Sequence, residues 1–300
     1  MMQTFKIANM VFLCLFSLYA SSQDVTKTFD VAQGGNLDLD AVFGAIRVKS
    51  IPSEQVEIRV VFSDADSNYQ EKYKVDFEQN GSYINVKSSF DDDSIWFWQR
   101  RKRPRVKFEI KVPEQFNLDL KTSGGSISVT SLSGNVFCKT SGGSIQVDQI
   151  MGNVELRTSG GSISLESCQG QAVAKTSGGS IYIGKVRGEV RAHTSGGGIS
   201  VDEVMGPIDA VTSGGSIRVS ITQQPEEDCR LKTSGGTISV AMSSHIALYL
   251  DARTSGGHVS SDFDFASSSK NEKHHIIGEI NGGGPELILR TSGGNISIRK

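Results

Sequence analysis

This 300-residue sequence is short of the features that mark most enzymes and membrane proteins. It has 4 cysteines, of which only Cys138, Cys168 and Cys229 lie beyond residue 22. An odd number without paired spacing argues against a disulfide framework, and no C-x-x-C pattern offers a metal site. Cys138 and its kin are better read as buried thiols. The formal charge is only −2, so the chain lacks the one-sided charge of a polyanion-binding protein or an acidic tail, and nucleic acid is not an expected partner. Its histidines, His193, His245, His258, His274 and His275, show no metal-ligand or triad spacing. His274 and His275 read as a solvated loop pair. No catalytic, cofactor-binding or metal-binding residue is expected.

Apolar runs long enough to span a bilayer are missing too. The one at the start is short and reads as part of a secretory signal over residues 1–22. Lys6 supplies its positive region, residues 10–18 its apolar core, and Ala20-Ser21-Ser22 a cleavage site of small residues. Cys14 does not suit lipoprotein processing, because Phe12 and Leu13 stand where small residues are preferred. The expectation is an exported protein (periplasmic, cell-surface or extracellular) with no transmembrane segment in the mature chain.

What the chain has in abundance is glycine, 33 residues of it, arranged in a repeat. Thr-Ser-Gly-Gly, one further residue and then Ile or Val begins at Thr122, Thr140, Thr158, Thr176, Thr194, Thr212, Thr233, Thr254 and Thr291. The first five intervals are 18 residues, the next two 21 and the last 37. A fixed period over most of a chain means a repeat architecture. Between the glycines the residues alternate, with Ile145, Val147, Val154 and Leu156 pointing one way and Gln146, Glu155 and Arg157 the other. Two short strands per unit cannot bury an apolar face alone, so units must stack in parallel. The predicted fold is an all-β, single-stranded parallel β-helix or β-solenoid with 18-residue rungs and an N-terminal β-hairpin insertion.

Ile127, Ile145, Ile163, Ile181, Ile199, Ile217, Ile238, Val259 and Ile296 should form one inward column, in that order. Each glycine pair should place one member at positive φ and let the turns stack closely. A phosphate-cradling loop is the other reading of such glycines, but it needs a helix after them, and here a strand follows. The repeated Thr should point inward, its hydroxyl hydrogen-bonded, which speaks against ice binding. Asn36 to Val48 parallels Asn117 to Val129 and reads as a degenerate first rung. Between them, strands are expected near 56–62, 73–77, 83–87 and 106–112, with Asn80-Gly81 as a type I′ hairpin turn. Near the other end, runs at 276–280 and 287–289 around Asn281-Gly282-Gly283-Gly284 suggest a further hairpin. The division expected is a signal peptide over 1–22, a β region over 23–116 and the repeat solenoid over 117–300.

Val112-Pro113 followed by Leu118-x-Leu120 leading into Thr-Ser-Gly-Gly-x-Ile coils, with the Asn-Gly-Gly-Gly stretch before the last coil, resembles the bacterial toast-rack family. The resemblance implies a right-handed β-helical rod in a cell-envelope setting, with adhesion as the family's label and no catalytic residues to carry over.

Two surfaces stand out. The residue before each repeated Thr faces outward, and Lys121, Lys139, Arg157, Lys175, Lys232, Arg253 and Arg290 make a basic ladder interrupted by His193 and Val211. Outward Asp119, Glu155, Asp209 and Asp251, each two residues earlier, can offset part of that charge. The ladder is either a stripe for an anionic polymer or a solvated face multiplied by duplication. The second surface is the stretch holding Trp96, Phe97, Trp98, Arg100, Arg101 and Arg103, just after Asp91, Asp92 and Asp93. Aromatics beside arginines suit a contact surface. Packing of the aromatics across the solenoid reads equally well from composition. The function expected is a non-enzymatic binding or structural module of the cell envelope, fitted to an anionic envelope polymer, a glycan or a surface protein. A carbohydrate-active β-helix enzyme is the alternative.

Overall fold

A computed structural model describes residues 16–17, 24–63, 72–91, 105–265 and 270–300. Each repeat gives one strand to each of two sheets. Val136–Thr140, Val154–Arg157 and Ala172–Lys175 belong to a front sheet, and Ile145–Met151, Ile163–Cys168 and Ile181–Val186 to a back sheet. Parallel pairing is in register: Ile127 lies beside Ile145, Ile145 beside Ile163 and Ile163 beside Ile181. The inward side chains of both sheets form a single apolar core. Alternation dictates this: Ile145, Val147, Val154 and Leu156 are buried, and the period breaks only at the corner, where Asp148 and Gln149 separate Val147 from buried Ile150. A buried Ile contributes roughly 1.5–3 kcal/mol, so the stacked columns hold the rod together.

The Thr-Ser-Gly-Gly corner welds each rung to the one before. All nine repeated Thr are buried, and each hydroxyl donates to a glycine carbonyl of the neighbouring rung at 2.7–2.9 Å. The corner glycines differ from expectation. Neither glycine of any Thr-Ser-Gly-Gly corner has positive φ; Gly34, Gly44, Gly81, Gly134, Gly282 and Gly283, all outside those corners, do. What the repeat requires is close approach. A Cβ on the second glycine would sit 1.8–2.3 Å from a glycine carbonyl oxygen of the adjacent rung. The turns stack backbone on backbone, leaving no room for a methyl.

At the N-terminal end the degenerate rung is present: Leu37 pairs with Leu118 and Ile46 with Ile127, in parallel. The inserted strands Tyr83–Phe90 and Arg105–Pro113 add one further parallel rung outside it. Antiparallel strands Tyr73–Asn80 and Gln55–Ser63 follow, then Val25–Asp30. The hairpin joining Tyr73–Asn80 to Tyr83–Phe90 turns on Gly81 and Ser82, with Asn80 paired to Tyr83. Of the two central residues only Gly81 has positive φ and Ser82 does not, the pattern of a type II′ turn rather than I′.

The C-terminal end departs most from sequence order. The last strands, Glu286–Thr291 and Ile296–Arg299, lie between the rung at 229–242 and the rung at 248–261. The column therefore runs Ile238, Ile296, Val259. Asn281 to Gly284 is no hairpin: His275–Ile280 and Glu286–Thr291 sit on opposite sides of Leu248–Thr254, antiparallel and parallel to it. The positive φ of Asn281, Gly282 and Gly283 turns a crossover over that strand's start, where Asn281 Nδ2 donates to the carbonyls of Ser244 and Ile246.

Candidate functional site

The outer face of the front sheet carries three rows of side chains along the rod. Nearest the Thr corner is the basic ladder. Registers place Lys121 beside Lys139, then Arg157, Lys175, His193, Val211 and Lys232. Beyond Lys232 comes Arg290 and then Arg253, because the last rung is interposed. Strand spacing sets neighbouring charges about 4.8 Å apart.

The middle row decides which of these charges are free. Lys121 Nζ lies 2.9 Å from Asp119 and 3.9 Å from Asp38, and Arg157 pairs with Glu155. His193 Nε2 is 3.2 Å from Asp209, which also takes Arg230 at 2.8 Å. Asp251 was expected to offset Arg253, two residues on. It instead pairs across the rung with Arg290 and with His275 Nε2 at 3.0 Å. His275 thus opens a strand and is not part of a loop. Burial works against ionisation of Asp209 and Asp251, yet hydrogen bonds from Arg230 and His193, and from Arg290 and His275, outweigh it and hold both carboxyls below the ordinary range. Lys139, Lys175, Lys232 and Arg253 are exposed and have no ion-pair partner among the described residues. Lys139 and Lys175 flank Arg157 on consecutive rungs.

Trp96, Phe97, Trp98, Arg100, Arg101 and Arg103 lie outside the described residues. Cys138, Cys168 and Cys229 are buried free thiols, and burial pushes each thiol up, Cys229 to about 11. They are inward packing groups, poor nucleophiles at neutral pH. Among the described residues, no three His, Cys, Asp or Glu side chains gather as a metal site. No helix among them is long and apolar enough to cross a membrane.

Sequence reasoning missed the third row, Asn117, Asn135, Asn153 and Gln171. Backbone N–H groups of Asn135, Asn153 and Gln171 donate to the side-chain oxygen of the Asn one rung earlier at 2.9, 3.0 and 2.9 Å. The signal was legible as the residue following Gly134, Gly152 and Gly170, the turn glycines of successive units.

The Toastrack DUF4097 profile matches residues 35–299. None of the curated proteins matches. Solved structures that this chain is similar to include a protein of Bacteroides fragilis described as a "putative adhesin", 14% identical, with 93% of this chain and 98% of that one covered at a TM-score of 0.35. Another, from Parabacteroides distasonis, is described as a "putative lipid binding protein"; it is 13% identical over 92% of this chain and 97% of that one, at 0.43. A "putative adhesin" of Parabacteroides merdae is 14% identical over 93% and 97%, at 0.40. At such identities those descriptions belong to those proteins.

Proposed function

This chain belongs to the Toastrack family, and from that premise we propose that it is an exported, non-catalytic, adhesin-like binding module of the cell envelope. Its contact surface is the outer face of the front sheet, and the ligand class for the ladder is an anionic envelope polymer. One observation carries the reading: Lys139, Arg157 and Lys175 stand in register on consecutive rungs, and both lysines lack an acidic partner among the described residues. The two unpaired lysines stand two rungs, about 9.6 Å, apart with Arg157 between them, and the repulsion among these cations is a cost that a bound polyanion would relieve. The carbohydrate-active alternative needs a carboxyl kept protonated to act as general acid. The carboxylates beside the ladder are instead ion-paired, Asp119 with Lys121 and Glu155 with Arg157.

Binding of the purified protein to polygalacturonate tests this across a sodium chloride series. Affinity should fall as salt rises, since exposed charges are screened. Changing Lys139, Arg157 and Lys175 together to Gln should weaken binding about tenfold, three charges at roughly 0.5 kcal/mol each. Unchanged affinity in the triple variant would overturn the ladder reading. Release of new reducing ends from the polymer would overturn the non-catalytic one.

A further inference from the structure

Beside the ladder, on the N-terminal half of the same face, runs an open groove of about 610 Å³. It crosses six adjacent front-sheet strands, from the one bearing Tyr83 to the one bearing Val173. At about 4.8 Å a strand, that is roughly 24 Å along the rod. We infer that this groove binds a neutral, hydroxyl-rich glycan chain lying along the rod axis. The inference rests on the reading that the front-sheet face is the contact surface, and it assigns that face a second ligand class.

The groove's polar edge is the Asn row. Because the side-chain oxygens of Asn117, Asn135 and Asn153 each accept a backbone N–H, their amide orientation is set, and each NH₂ is left as a donor with no partner among the described residues. A file of fixed donors repeating at the rung spacing matches a ligand with acceptors repeating at a similar spacing. The length of one pyranose residue in an extended chain is close to that spacing.

The floor supplies the complementary groups. Asp38, Asp119 and Glu155 offer carboxylate oxygens to hydroxyl donors. Asp119 Oδ2 pairs with Lys121 at 2.9 Å, while its Oδ1 is turned away from the groove surface. Tyr83, 43% exposed, and the half-buried ring of Phe137 give apolar faces for the C–H faces of sugars. Lys121 Nζ stands 5.7 Å from the Phe137 ring centroid, holding that ring's surroundings polar. The three carboxylates disfavour a polyanion in the groove itself, which separates its ligand from that of the ladder.

Calorimetric titration of the full chain with cellohexaose, laminarihexaose, xylohexaose and mannohexaose tests the assignment. At least one should bind saturably, with affinity unchanged between low and high sodium chloride. Two variants remove groove chemistry while leaving the backbone pairing of the rungs in place, although Tyr83→Ala also gives up the 3.5 Å hydrogen bond from its hydroxyl to Asp38. Tyr83→Ala deletes an exposed ring, and Asn135→Asp with Asn153→Asp keeps the oxygen acceptors while removing the NH₂ donors. Each should weaken binding about tenfold or more, with the melting temperature showing that the rod is intact. Lys139→Gln with Lys175→Gln should leave hexasaccharide binding unaltered. Binding of none of the four sugars overturns the inference, as does binding indifferent to both groove variants. Sensitivity to the lysine variant alone also overturns it, while sparing the ladder reading.

Discussion

Gly160 and Gly161 are adjacent yet differ sharply in their tolerance of a side chain. A Cβ on Gly160 would meet the Gly142 carbonyl oxygen at 3.5 Å, an ordinary contact; on Gly161 it would meet the Gly143 oxygen at 2.1 Å. That oxygen also accepts the Thr158 hydroxyl at 2.8 Å, so it cannot yield without losing a bond. Gly161→Ala should therefore cost about 1–3 kcal/mol as overpacking does, and Gly160→Ala close to nothing. Thermal denaturation of the two variants checks this, and equal melting temperatures would refute the stacking explanation. The composition showed that two glycines recur. Only the rung-to-rung distance shows that the second is the indispensable one.

The element with the most consequence for stability is the last rung. Glu286–Thr291 and Ile296–Arg299 pair on both sides, so the chain's end fills an interior slot. Leu287, Leu289, Ile296 and Ile298 are essentially fully buried there. Removing a terminal coil of a solenoid normally removes one interface, because each unit touches only its neighbours. Here it removes two and detaches the rung at 248–261, together with the strand His275–Ile280 paired to it, from the rest of the stack. A chain ending at residue 285 should lose protease resistance across 248–280 while rungs 127–221 stay protected. Mapping the cleavage sites checks it; an undisturbed 248–280 segment would contradict the interposed order. Sequence order could not reveal this, since Thr254 and Thr291 begin equivalent units and nothing local says which stacks on Thr233.

For the whole molecule, a near-zero formal charge of −2 leaves little global repulsion at neutral pH. Specific carboxylates then govern the acid response. Asp209 and Asp251 clamp neighbouring rungs through Arg230 and Arg290, and both are held below the ordinary range. A carboxyl lowered in the folded state stabilises above its unfolded pKa of about 3.9, and that stability is lost as pH falls through the folded value. Melting temperature should hold down to about pH 5 and drop below about pH 4. Asp209→Asn with Asp251→Asn should melt lower at pH 7 and show a shallower acid limb. Parallel limbs in the two proteins would remove these clamps from the account.

The period of the glycines and the two-residue alternation between them were enough to determine a parallel stack, its inward Ile columns and its outward ladder, because strand geometry leaves each side chain only two directions. That Arg157 is paired while Lys139 and Lys175 are not follows from Glu155, Phe137 and Val173, each two residues earlier on the same strand; that Asp251 turns to Arg290 and leaves Arg253 unpaired required knowing the neighbour across the rung. The groove needed more still, since Tyr83 reaches the Asn row only through the parallel pairing of Tyr83–Phe90 with Gly35–Ala41. Pairings between segments distant in sequence are decided by which exposed strand edge each segment finds. That is a property of the assembled sheets and of no single stretch of chain.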